Sequence, residues 1–319
     1  MINSVITRRH GRIGHILLNR PQALNALTLG MIEAIAQVLV AWRADPAVHA
    51  VVIEGAGGRA FCAGGDIRAV RDAALVGAFD QVEAFFQAEY ALNLMIARYP
   101  KPYIALIDGI CMGGGIGLSI HGSARVATEG AVFAMPETGI GFFPDVGATY
   151  ALPRLRGAVG MYMGLTGARL SGPDAVYAGI ATHYVPRERF GGLVDELAAD
   201  GPSTLAMVAE PAPAALPGLI DQIRCFEAES VSAILARLEQ LGTEWSRETL
   251  VSLRSVSPSA VLWSFSAIRR GAGLTLEAAL QAELELTRTT TRHPDLAEGV
   301  RAMVVDKDRS PQWAPASLQ

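Results

Sequence analysis

Between residues 134 and 150 the chain reads AMPETGIGFFPDVGATY, placing Glu137 and Asp145 among residues that are nearly all apolar, Gly or Pro. Glu137 directly follows Pro136, and Asp145 directly follows Pro144. A charge moved from water into such company is costly unless it is paired or changes its protonation. Two carboxylates close together suit general acid–base work or nucleophilic attack on an acyl carbon. Structural roles compete: Asp145 could cap a helix beginning near Val146, and Glu137 could satisfy loop amides. Glu89 is a third candidate, set in the apolar stretch QVEAFFQAEYALN, where a solvated helix face is the plain alternative.

Upstream, two glycine-bearing stretches, GAGGRAFCAGGDIRAV and DGICMGGGIGLS, run towards helix starts. Backbone N–H groups at such starts lack intrahelical partners and can cradle an anion or a developing oxyanion. Glycine allows the close approach that a Cβ would block. The same glycines could also serve only tight helix–sheet packing. Both stretches together, with carboxylates downstream, favour a functional reading.

Other chemistries are poorly served. GGGIG does not complete G-x-G-x-x-G because Leu118 follows Gly117, and no GxxxxGK[ST] occurs. Ser119 in GLSIHG is not a nucleophile elbow, and His121 beside it reads as an ordinary core or surface histidine. The six histidines show neither HExxH pairing nor Cys/His ligand spacing, so no metal site is expected.

The 319 residues are half hydrophobic and 18% charged, as in a globular protein with a sizeable core. A net charge of −4 argues against a nucleic-acid or anionic-membrane partner as the main business. Cys62, Cys111 and Cys225 are too few and too irregular for a disulfide framework. With no signal-peptide pattern and no apolar run of transmembrane length, a cytoplasmic location is expected.

The elements that must position these residues recur as strand, glycine-rich turn and helix. VITRRHGRIGHILLN reads as a hairpin around His10–Gly11, and TLGMIEAIAQVLVAWRADP as a helix capped by Thr28 and ended by Pro46. HAVVIEG, PYIALIDG and ARVAT read as strands. QVEAFFQAEYALNLMIARYPKP reads as a long helix, and CMGGGIGLSIHG as a turn entering a buried one. This pattern predicts an α/β fold with βα layers around a buried sheet. Near residue 200 the composition changes: EPAPAALPGL reads as a linker, and helical periodicity follows in VSAILARLEQLG, SPSAVLWSFSAIRRG and TLEAALQAELELTRTTTRHP. Two regions, 1–200 and 201–319, are therefore expected.

Four stretches, NRPQALNALT, FCAGGDIRAV, KPYIALIDGICMGGGIGLS and MPETGIGFFPDVGATYALPRLRG, resemble the enoyl-CoA hydratase/isomerase (crotonase) superfamily. PETGIGFFPDVG, TGARLSGPDAVYAGIATHYV and HPDLAEGVRAMVVDKDRSPQW are similar to its 3-hydroxyisobutyryl-CoA hydrolase subfamily. The resemblance implies a ββα spiral core with a helical C-terminal region. It also implies an acyl-CoA substrate whose thioester carbonyl sits on the backbone amides of Gly65 and Gly114.

Ala23 and Leu24, with Asp66, are implied as coenzyme A contacts, and Glu89, Gly114, Glu137 and Asp145 as substrate-binding residues. The superfamily's hydratases carry a glutamate three positions beyond the middle glycine of the turn, which here is Gly117. Losing it removes half of the acid–base pair needed to hydrate a double bond. The hydrolase subfamily instead pairs the glutamate matching Glu137 with the aspartate matching Asp145. Thioester hydrolysis is thus expected, with no separate cofactor. A homo-oligomer, a trimer or hexamer, is implied as well.

Overall fold

A computed structural model of the protein describes residues 3–318. The alternating N-terminus forms the expected hairpin, with β1 (Val5–His10) antiparallel to β2 (Ile13–Leu18). Next to β2, strands β3 (Ala50–Gly55), β5 (Tyr103–Ile107), β7 (Ala124–Ala127) and β10 (His183–Tyr184) run parallel in a six-stranded sheet ordered β1-β2-β3-β5-β7-β10. Strands buried on both faces of a parallel sheet read as nearly continuous apolar runs, as AVVIEG and YIALI do. A second sheet orders β4 (Ala60–Cys62), β6 (Ile110–Met112), β8 (Val132–Ala134) and β9 (Leu170–Ser171).

Helices follow from local signals. Leu29–Ala44 begins where the Thr28 hydroxyl accepts a hydrogen bond from the Met31 amide, 3.3 Å. The expected long helix spans Phe79–Ala97. Beyond the Pro/Ala-rich stretch lie helices at Val231–Leu241, Glu244–Ser255, Pro258–Gly271, Leu276–Thr290 and Pro294–Val300. Four of these five start with a Ser or Thr cap, and His293 caps the last.

Backbone proximity divides the chain into two compact units. The first comprises Met1–Gly65, Ala88–Phe133 and Leu170–Leu216, and the second Asp66–Gln87, Ala134–Arg169 and Pro217–Gln319. This division is drawn by contacts, not by the composition change near residue 200. The first unit holds the six-stranded sheet, whose Ile13, Val52, Ile104, Leu106 and Val126 pack with Leu193, Leu197 and Leu205 in one buried cluster. The second unit is helical. No helix among the described residues is long and apolar enough to cross a membrane.

Candidate active site

In the first unit, β4 and β6 are parallel neighbours, with Cys62 and Cys111 in register. The turns leaving their C-terminal ends therefore lie side by side, which brings Gly65 to Gly114 although 49 positions separate them in the chain. A Cβ on Gly114 would stand 3.2 Å from the Gly65 amide nitrogen and 3.3 Å from Leu27 Cδ1, and it would collide with Glu89 Oε1. The requirement for glycine at 114 is thus close approach. Its φ is ordinary, and what excludes a side chain is the convergence of one amide and one carboxylate on this spot. Glu89 is only 3% exposed, so the solvated-face alternative does not hold.

The NRPQALNAL segment is stitched to the same turn. Leu27 N–H donates to the Gly64 carbonyl, 2.8 Å, and Ala63 N–H to the Leu24 carbonyl, 3.0 Å. Leu24 and Asn25 take φ values of 51° and 58°, a region that asparagine tolerates better than most residues. The buried Asn25 amide donates to the Ala60 carbonyl, 2.9 Å, and the Ala56 carbonyl, 3.0 Å, which locks this bend onto β4. Ala23 and Leu24 thereby sit on backbone tied to the glycine turn.

Nearby nucleophiles are disarmed. Burial pushes the Cys62 thiol up to about 12, and the charge of Glu89 adds to the rise. Burial raises Cys111 as well. The Ser119 hydroxyl is turned back on its own helix, donating to the Gly115 and Ile116 carbonyls at 3.0 and 3.1 Å. Gly117 is buried in that helix, Gly114–Ile120.

In the second unit, Glu137 opens a 3-10 turn, Glu137–Ile140, closed by Gly141 at φ 72°. Phe142 N–H donates to the Glu137 carbonyl, 3.0 Å, and Ser257 N–H to the Thr138 carbonyl, 3.1 Å. The Thr138 hydroxyl reaches the Leu165 carbonyl, 3.1 Å. These bonds fix the backbone beneath a carboxylate that is 6% exposed. Phe142 stacks on Phe86 with centroids 5.4 Å apart, and Phe143 packs 4.7 Å from Phe142, so the stretch between the two acids is core. Asp145 is 5% exposed.

The helix considered above for Asp145 begins later than expected. The helical turn starts at Ala148, after Gly147, and the Ala148 amide meets the backbone carbonyl of Asp145, 2.8 Å. The amides of Gly147 and Thr149 are taken by Glu283 from the Leu276–Thr290 helix. Glu283 was not a candidate in the sequence. It is a single acid in the amphipathic run TLEAALQAELELT, and only the fold brings it to a turn far away in the chain.

Asp66, implied as a coenzyme A contact, caps the helix Ile67–Leu75, its side chain accepting from the Ala69 amide at 3.4 Å. Among the described residues no group of three or more His, Cys, Asp or Glu side chains is placed to hold a metal ion.

A family model described as enoyl-CoA hydratase/isomerase matches residues 13–319. The chain belongs to this family. Within the family, the 3-hydroxyisobutyryl-CoA hydrolase, mitochondrial, of Xenopus laevis is 45% identical over 97% of this chain and 84% of that protein. The protein of the same name from Rattus norvegicus is 45% identical over 99% of this chain and 85% of its own length. Among solved structures, a carnitinyl-CoA dehydratase from Mycobacterium thermoresistibile matches with a TM-score of 0.95 at 40% identity, covering 99% of this chain and 93% of that one. The fold is that of the crotonases, as the sequence motifs implied. The expectation of a cytoplasmic location is corrected: both hydrolase relatives are named mitochondrial.

Proposed function

We propose that the protein is an acyl-CoA thioester hydrolase acting on 3-hydroxyisobutyryl-CoA or a similarly short 3-hydroxyacyl-CoA. The observation that carries the reading is the meeting of the Gly65 amide and the Glu89 carboxylate at the Cα of Gly114, where no side chain fits. A backbone amide at such a spot suits a carbonyl oxygen that gains charge in the transition state, and one such donor is worth roughly 10²–10³ in rate.

The thioester carbonyl would rest on the amides of Gly65 and Gly114. Ala23 and Leu24 would contact coenzyme A through their backbone, with Asp66 nearby in the sequence motif. Glu137 would either attack the carbonyl carbon, giving an anhydride that water cleaves, or take a proton from an attacking water. In both routes the C–S bond breaks, coenzyme A leaves as the thiol after protonation, and the acid is freed. Asp145 would orient the 3-hydroxyl or pass the proton to the thiolate, and Glu89 would bind the substrate. The relatives named hydrolase and the glycine at position 117 both support hydrolysis over hydration.

A second reading, dehydration or isomerisation of an acyl-CoA, draws on the name of the solved Mycobacterium thermoresistibile structure. The two readings separate in one assay: thiol release from 3-hydroxyisobutyryl-CoA, 3-hydroxypropionyl-CoA and crotonyl-CoA, with enoyl absorbance followed in parallel. Thiol release fastest on 3-hydroxyisobutyryl-CoA, with no enoyl change, is expected. Enoyl turnover without thiol release sinks the hydrolase reading. A trimer or hexamer remains part of the proposal, to be checked by light scattering on the purified protein.

A further inference from the structure

The segment carrying Asp145 is costly backbone. Val146 has φ 57°, a region that a β-branched residue rarely occupies, and Gly147 follows at φ 79°. Such a turn persists only where its surroundings over-determine it. One distant side chain supplies three hydrogen bonds of that restraint. Glu283 Oε2 accepts from the Gly147 amide, 2.7 Å. Its Oε1 accepts from the Thr149 amide, 3.0 Å, and from the Thr149 hydroxyl, 2.5 Å. The acid is 1% exposed, so water does not compete for these donors.

We propose that Glu283 is a positioning residue, which clamps the left-handed turn at Val146–Gly147 and so fixes the direction in which Asp145 presents its carboxylate. The proposal rests on the catalytic role given above to Asp145. Only a carboxyl group satisfies this geometry. Both oxygens must accept from a backbone amide, and a glutamine would turn its NH₂ towards one donor in either orientation. The charge of Asp145 also helps to raise the Glu283 pKa, though less than burial does.

The test compares wild type, E283Q, T149S, D145N and the double variant D145N/E283Q in thiol release from 3-hydroxyisobutyryl-CoA, with melting curves and amide hydrogen exchange. E283Q should lower kcat at least ten-fold with KM within two-fold. T149S, which keeps the hydroxyl, should stay within two-fold of wild type. Adding E283Q to D145N should cost no further activity, since the clamp acts through Asp145. The Gly147 and Thr149 amides should exchange at least ten-fold faster in E283Q, a readout that needs no turnover.

A folded E283Q with wild-type kcat and unchanged exchange overturns the proposal, as does an equal loss in both backgrounds. Should E283Q not fold, T149V removes only the hydroxyl bond and should still lower kcat several-fold; a wild-type rate there also overturns it. Full turnover in D145N is a separate result, and it would remove the role of Asp145 while leaving the exchange test of the clamp standing.

Discussion

Gly114 concentrates the chemistry of the first unit in one missing side chain. Gly114→Ala places a methyl group against Glu89 Oε1 and 3.2 Å from the Gly65 amide, so one or both must move. Displacements of this size in a reacting geometry lower rates by roughly 10²-fold. The expected result is kcat/KM for thiol release reduced to about that extent with the melting temperature little changed, because Glu89 Oε1 is the end of a flexible side chain. Wild-type kinetics in Gly114→Ala would show that the spot is packing alone.

Glu137 and Asp145 stand out in the sequence as candidates by their apolar setting, and Gly65 and Gly114 by family resemblance within short glycine motifs. Glu283 does not. Its partners Gly147 and Thr149 lie 136 and 134 positions away, and an acid on an amphipathic helix carries no sign of what it will meet. The turn after Asp145 does need acceptors for its amides, and this distant acid takes those of Gly147 and Thr149.

Among the elements, the short turn under Glu137 depends on helices that come much later in the chain. A Cβ on Gly141 would collide with the Asp295 carbonyl, and its φ of 72° already disfavours other residues. Asp295 is itself buried, accepting from the Ser257 hydroxyl at 2.5 Å and the Ala314 amide at 2.8 Å. Gly141→Ala should therefore lower the melting temperature, by roughly 1–2 °C for each kcal/mol of strain in a chain of this length, and thiol release should fall with it. Unchanged melting would mean that this junction yields easily.

Periodicity located the hairpin, the long central strands, the long helices and the Thr28 cap, since those signals are local. The interleaving was beyond its reach. Residues 66–87 and 134–169 join the helical second unit although strand-rich sequence surrounds them. Which apolar faces meet is a property of the whole chain.

At the scale of the molecule, the buried Glu283 links stability to pH. Burial pushes its carboxyl from 4.5 up to about 8, against hydrogen bonds from Thr149 and Gly147 that pull it down. Between those values the folded protein holds a proton that the unfolded chain releases. The associated stability is fully present below pH 4.5 and is lost as pH rises towards 8, by up to about 1.4 kcal/mol per pH unit. The melting temperature of wild type relative to E283Q should therefore decline from pH 5 to pH 8. A difference constant over that range contradicts this.

Location is also a property beyond local chemistry: composition suggested the cytoplasm, and the mitochondrial names of the hydrolase relatives correct it. The central claim, hydrolysis of an acyl-CoA thioester with Glu137 as the proposed reacting carboxylate, is tested most directly with Glu137→Gln. The variant keeps the size of the side chain, and the bond from the Phe142 amide to the Glu137 backbone carbonyl, which closes the 3-10 turn, does not depend on the carboxylate. Thiol release from 3-hydroxyisobutyryl-CoA is expected to fall by roughly 10²–10⁴-fold with the fold intact. Full turnover by Glu137→Gln would contradict the account.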